Sequence, residues 1–122
     1  MDDNKVKELL GELEASLVNS PHLAVMILDK DMQIVWHNKR FGDEFGESGE
    51  VVGKRCFDIT AAGKPHAGCP LKVSQKEGRN TKGYFDMGDK LFFFLTIPLK
   101  DGYAAKVHTY LPKDGQGKIE EI

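Results

Sequence analysis

Leu23-Ala24-Val25-Met26-Ile27-Leu28-Asp29 and, five residues on, Ile34-Val35-Trp36-His37-Asn38 are the stretch on which the fold turns. The first is a short apolar run and the second a strand-length segment rich in β-branched and aromatic residues. Asp29-Lys30-Asp31 between them is a turn signal, so the pair reads as a hairpin from His22 to His37. Asn38 is a good helix N-cap, and Phe41 and Phe45 lie four apart on the short helix that follows. Gly46 suits the end of that helix. Upstream, Val6, Leu9, Leu10, Leu13 and Leu17 fall on one stripe of an amphipathic helix over about Asp3 to Asn19, with Glu8, Glu12 and Glu14 off it. Ser20-Pro21 ends it, because the residue before proline avoids the helical region. Such a stripe needs a partner, either its own sheet or the same helix of a second chain.

Downstream, residues 47–70 are rich in glycine and proline and predict turns, with one helical turn near Cys56 to Ile59. Pro70 fits the first position of a helix running through Leu71 to Lys76 and closed by Gly78. Thr81–Asp86, Lys90–Pro98 and Tyr103–Leu111 read as strands, joined at Met87-Gly88-Asp89 and Lys100-Asp101-Gly102. Helix, two strands, a helical and loop-rich middle and three strands predict an α+β domain with one antiparallel sheet and helices on one face. Three parts are expected: an N-terminal helix over 1–20 for dimerisation or coupling, a domain over 21–112, and a tail or linker over 113–122.

The chain of 122 residues is long enough for one domain and too short for two. With 17 basic and 19 acidic residues it lacks the basic footprint of a nucleic-acid binder. No apolar run approaches the roughly 18 residues of a membrane span. The acidic Met1-Asp2-Asp3-Asn4 start lacks the layout of a signal peptide, so a cytoplasmic location is expected. Two cysteines are too few for a secreted disulfide scaffold.

The succession of Leu23–Asp29, the turn, Ile34–Asn38, the Phe41/Phe45 helix, Val52-Gly53-Lys54, Cys56-Phe57, Gly68-Cys69-Pro70 and three closing strands resembles the PAS domain family over about 21–112. The resemblance implies a five-stranded sheet in spatial order 2-1-5-4-3 and a helical flank that covers one face and can enclose a pocket. Members sense ligands, cofactors or redox state, many dimerise, and they commonly drive an effector such as a histidine kinase or cyclase without catalysis of their own. A bacterial sensor-type subgroup carries a cysteine before the middle loop and a Pro-Cys-x-x-Cys-Pro run after it. The run here is Pro65-His66-Ala67-Gly68-Cys69-Pro70, with His66 in place of the middle cysteine.

Two sets of residues are candidates for a site. Trp36, Phe41, Phe45, Phe57, Phe92, Phe94 and His108 could line an apolar ligand or cofactor pocket, with Thr96 and Asn38 as polar groups; the alternative is plain core, and Asn38 is read as a cap and nothing more. Cys56, His66 and Cys69 pair thiolate and imidazole, the donors zinc and soft transition metals prefer, although a fourth ligand would have to come from His22, His37, His108, Asp58 or water. The same cysteines could be a thiol redox pair or simply packed thiols. Noncovalent haem on one of His37, His66 or His108 is a weaker reading, and covalent haem lacks its Cys-x-x-Cys-His. Flavin is disfavoured, because Lys54-Arg55-Cys56-Phe57-Asp58 departs from the Asn-Cys-Arg-Phe-Leu-Gln run of the PAS flavin photosensors.

Strand alternation puts Phe92 and Phe94 on one face of their strand and Leu91, Phe93, Leu95 and Ile97 on the other, so both faces look covered, one by the helical flank and the other by the N-terminal helix or a second subunit. Gly42-Asp43-Glu44-Phe45 is similar to a diguanylate cyclase signature, but that signature sits in a turn and this string reads as helix. Asp43 and Glu44 read as solvated surface. With no nucleophile–base pair in view, the expectation is a non-enzymatic sensory domain, a homodimer, acting on an effector such as a histidine kinase or diguanylate cyclase module. The alternatives are a metal or redox switch at Cys56/His66/Cys69 and a ligand-free dimerisation module.

Overall fold

The computed structural model describes residues 3–46, 51–55 and 70–113. Helix α1 spans Asp3–Val18, the β1–β2 hairpin joins Ala24–Leu28 to Ile34–His37, and α2 is Lys39–Phe45. Helix α3 is Pro70–Glu77, and β3 (Thr81–Asp86), β4 (Lys90–Pro98) and β5 (Ala104–Pro112) close the chain. The strands form one sheet in the order β2-β1-β5-β4-β3, every neighbouring pair antiparallel. This is the α+β architecture and strand order that the sequence leads one to expect.

Local chemistry accounts for the elements. Asp29 Oδ1 accepts from the backbone N–H of Asp31 at 2.9 Å and of Gln33 at 3.0 Å, turning the hairpin at its own aspartate. Gly46, at φ 125°, ends α2 in a conformation that suits glycine, and its N–H donates to the Gly42 carbonyl. Gly83 lets the Phe94 ring lie over β3: a Cβ there would stand 2.8 Å from the ring. The Ser74 hydroxyl, fully buried on α3, bonds the Arg79 carbonyl and the Thr96 hydroxyl, both at 2.6 Å, and Thr96 also bonds Thr81. That chain of hydroxyls fastens α3 to β4 and β3.

The core lies between the sheet and α2 and α3. Ala24, Met26, Leu28, Met32, Ile34, Phe41, Val51, Leu71 and Ala104 form its cluster. For the opposite, outer face, only the first of the two expected covers, the N-terminal helix or a second subunit, is addressed by a single chain. Helix α1 does not cover it, for none of its residues is buried. Leu95 and Ile97 keep 37% and 36% of their surface exposed, and Leu111 keeps 40%.

A β-bulge between Ile27 and Leu28 decides where β2 points. Leu28 pairs with Ile34 and Ile27 with Trp36, so Val35 is the extra residue. Ile34 and His37 therefore both face the core, and Val35 and Trp36 both face out.

Candidate functional site

The inner face of the sheet carries an aromatic cluster beside α2. Alternation along β4 and β5 brings Phe92 and Phe94 to the same side as His108 and Tyr110, with Phe92 opposite Tyr110 and Phe94 opposite His108 in the ladder. Phe41 and Phe45, one helical turn apart on α2, pack over them. Ring centroids of Phe41 and Phe45 lie 4.7 Å apart, Phe45 meets His108 edge-on at 5.8 Å, and Phe92 lies 4.8 Å from His108. Lys106, also on this face, holds its ammonium 5.4 Å from the Phe92 ring centre and 5.6 Å from that of Phe94, the arrangement favoured by a cation over an aromatic face.

At the centre stands a polar group. Glu44 lies on the same side of α2 as Phe41 and Phe45, three residues after one and next to the other, with its side chain 17% exposed. One carboxylate oxygen accepts from His108 Nε2 at 3.1 Å and the other from the Tyr110 hydroxyl. Against a carboxylate acceptor, Nε2 must carry its hydrogen. His108 is 4% exposed, and burial lowers its pKa below the ordinary 6.5, with Glu44 opposing the shift and Lys106 and Arg40 adding to it. Burial, then the bond to Glu44, pushes the Tyr110 pKa up to about 12. Imidazole and phenol are thus held neutral near pH 7 around one carboxylate, which joins α2 to β5.

A second polar node sits at the other end of α2. Asn38 is 3% exposed and caps the helix as its type predicts, Oδ1 accepting from Phe41 N–H at 3.0 Å. It does more than cap. Oδ1 also accepts from Val25 N–H at 3.1 Å, and Nδ2 donates to the carbonyls of Val18 and Leu23, both at 2.8 Å.

Of the sequence-derived pocket residues, the structure brings together Phe41, Phe45, Phe92, Phe94 and His108. Trp36 stands apart, on the outer face and 38% exposed, because the bulge in the hairpin reverses the alternation beyond Ile34. Phe57 lies outside the described residues, as do Cys56, His66 and Cys69. Among the described residues no cluster of three or more His, Cys, Asp or Glu side chains could hold a metal ion. His37, offered as a fourth ligand or haem ligand, is buried and turns Nδ1 to the Asn38 carbonyl at 2.8 Å. Glu44 is the residue that sequence reasoning missed: it is not solvated surface. Its spacing from Phe41 carried the signal. The string Gly42-Asp43-Glu44-Phe45 is helical, as read.

No family model and no curated protein matches the chain. Solved structures do. A domain of an HTR-like protein from Haloarcula marismortui superposes with a TM-score of 0.60 at 14% identity, over 75% of this chain and 98% of that one. The PAS domain of the histidine kinase ThkA gives 0.57 at 19% identity, over 74% and 98%. The PAS domain of nitrogen regulation protein NR(II) from Vibrio parahaemolyticus gives 0.53 at 14%, over 80% and 94%. The fold is that of a PAS domain. Among the described residues no helix is long and apolar enough to cross a membrane.

Proposed function

We propose that this chain is a PAS-type sensory module that responds to a small ligand at the inner face, around Glu44, His108 and Tyr110, and signals through α1 as a dimer of two such chains. The effector is a module of the histidine kinase or cyclase kind; one of the similar folds is described as a domain of a histidine kinase. The module has no catalytic task of its own.

One observation carries the reading: α1 is a 16-residue helix with no fully buried residue, and Leu9, Leu10, Leu13 and Leu17 are exposed by 42%, 49%, 53% and 51%. A helix of that length is marginal in water without an apolar contact, and Gly11 in its middle weakens it by about 1 kcal/mol relative to alanine. Its stability calls for a partner surface. The same chain exposes an apolar sheet face at Trp36, Leu95, Ile97 and Leu111. A two-fold dimer satisfies both at once, α1 of each copy seated on the sheet of the other.

The test is the oligomeric state. Sedimentation equilibrium of the wild-type chain should give about twice the monomer mass. Covering the exposed half of each leucine is worth about 1 kcal/mol. Leu9→Lys with Leu13→Lys alters four such contacts per dimer, so about 4 kcal/mol and roughly a thousandfold in dissociation constant. Gly11→Ala, on the opposite face of α1, should raise helix content and leave association intact. A wild-type chain that stays monomeric at several hundred micromolar refutes the reading.

A further inference from the structure

We infer that Asn38 is the joint through which the inner face and α1 are mechanically coupled, so that the state of the Glu44 site sets the hold on the last turn of α1. The inference rests on the proposed reading for its use in signalling, while the coupling itself is tested independently of it.

The two ends of the Asn38 side chain serve different elements. Oδ1 holds Phe41 N–H, the first turn of α2, and Val25 N–H on β1. Nδ2 holds the Val18 carbonyl, the last residue of α1, and the Leu23 carbonyl in the segment leading to β1. The last carbonyls of a helix have no partner within it. In α1, Ala15 O takes the backbone N–H and side-chain amide of Asn19, Leu17 O takes Ser20 N–H, and Val18 O takes Asn38. No basic residue stands in that last turn to do the same work. Asn38 is therefore the C-terminal cap of α1 and the N-terminal cap of α2 at once.

Its backbone is pinned as well, N–H donating to the Val25 carbonyl at 3.0 Å. From Asn38, α2 runs only to Phe45 and carries Glu44 in its last turn, where the carboxylate meets His108 and Tyr110 of β5. A continuous set of bonds thus leads from β5 through Glu44, along α2 and through Asn38 to α1. A ligand or proton that displaces Glu44 from its two donors releases the C-terminal end of α2, and the first element to feel a shift of its N-terminal end is Asn38. Contiguity alone does not establish coupling, so the test is a double-mutant cycle.

Asn38→Asp keeps the acceptor for α2 and β1 and replaces the donor facing Val18 and Leu23 by an oxygen. Glu44→Ala frees the far end of α2. Amide hydrogen exchange is read at residues 17–20, with β4 and β5 amides as the control for an intact sheet. Each single variant is expected to raise exchange at the end of α1 by roughly tenfold, the size of one lost hydrogen bond. The double variant is expected to match Asn38→Asp, because α1 is then already released. Asn38→Ser and Glu44→Gln, milder at the same atoms, replace a variant that does not fold. A single variant without effect on residues 17–20, or effects that simply multiply, overturns the inference. Sedimentation of the same samples scores the dimer separately, so a monomer with an intact cycle refutes the proposed function and leaves the joint standing.

Discussion

Removing the Glu44 carboxylate is the most direct perturbation of the inner face, and its cost follows from what the two donors can do afterwards. In Glu44→Ala, His108 keeps its Nε2 hydrogen in a site where the side chain is 4% exposed, with no acceptor in place. A buried donor left unsatisfied costs about 1–3 kcal/mol. Tyr110 is only half-buried and its hydroxyl can turn toward water, so its loss is about 0.5–1 kcal/mol. The space left by the side chain opens partly to solvent and adds little. The sum is about 1.5–4 kcal/mol, which lowers the melting temperature by about 6–16 °C in a domain of this size. Glu44→Gln keeps an acceptor for one donor and loses the charge, for about 1 kcal/mol. Urea titration followed by circular dichroism reads both, with an unchanged slope certifying that the same surface is exposed on unfolding. Tyr110→Phe in each background tests the arrangement itself: its cost should shrink in Glu44→Ala, because the hydroxyl has already lost its acceptor. A cost for Glu44→Ala below about 0.5 kcal/mol, the level of an ordinary surface change, would refute the bridge.

Two further outcomes follow from the same geometry. Because burial lowers the His108 pKa, the folded chain binds fewer protons there than the unfolded chain, so its contribution to stability is complete above the ordinary value of 6.5 and is lost as pH falls from there through the folded value; the urea midpoint of wild type should drop between pH 7 and 5 more steeply than that of His108→Gln, and parallel profiles would contradict the assignment. Gly83→Ala places a Cβ 2.8 Å from the Phe94 ring, which is 6% exposed and backed by Phe85 and Phe92, so about 1–3 kcal/mol of stability is lost to overpacking and part of it returns in Gly83→Ala with Phe94→Leu, both read by thermal unfolding.

What was legible in the sequence was what local chemistry determines. The hairpin could be read because Asp29 makes its own turn, α2 because Asn38 and Gly46 bracket it, and β4 because its alternation runs unbroken from Lys90 to Pro98. Trp36 was misplaced because period-two counting carries it to the side of Ile34, and one extra residue at Val35 undoes the count. Bulges leave little trace in composition. Glu44 and the remaining bonds of Asn38 were hidden for a different reason. Glu44 meets partners 64 and 66 residues away, and the Asn38 amide reaches back 20 and 15 residues. Only the sheet order brings those segments together, and a polar residue seen alone looks like solvent-facing surface.

The proposed dimer seats α1 of the second copy on the outer face, and the pattern of that face bears on the proposal. In an antiparallel sheet with one face in water, outward positions should be polar. Along β4 the residues opposite in direction to Phe92, Phe94 and Thr96 are Leu91, Phe93, Leu95 and Ile97, and the ladder sets Val107 beside Leu95, Ala105 beside Ile97 and Leu111 beside Leu91. Next to β5, β1 contributes Val25 and Ile27 in the same rows. On β3 the pattern changes: Lys82 and Asp86 take the outward positions beside Leu95 and Leu91, with Tyr84, 69% exposed, between them. On that side the apolar surface therefore ends at β4, and it runs over four strands: β2 with Val35 and Trp36, then β1, β5 and β4. Strands lie about 4.8 Å apart, so four span about 14 Å between their outer axes, somewhat more than the roughly 10–12 Å width of one helix with its side chains. β5, with nine residues, is about 30 Å long, and the 16 residues of α1 about 24 Å. One helix laid along β5 covers the rows of β1, β5 and β4 and leaves β3 on one side and the edge at β2 on the other, which is the seat the proposed dimer gives to α1 of the second copy.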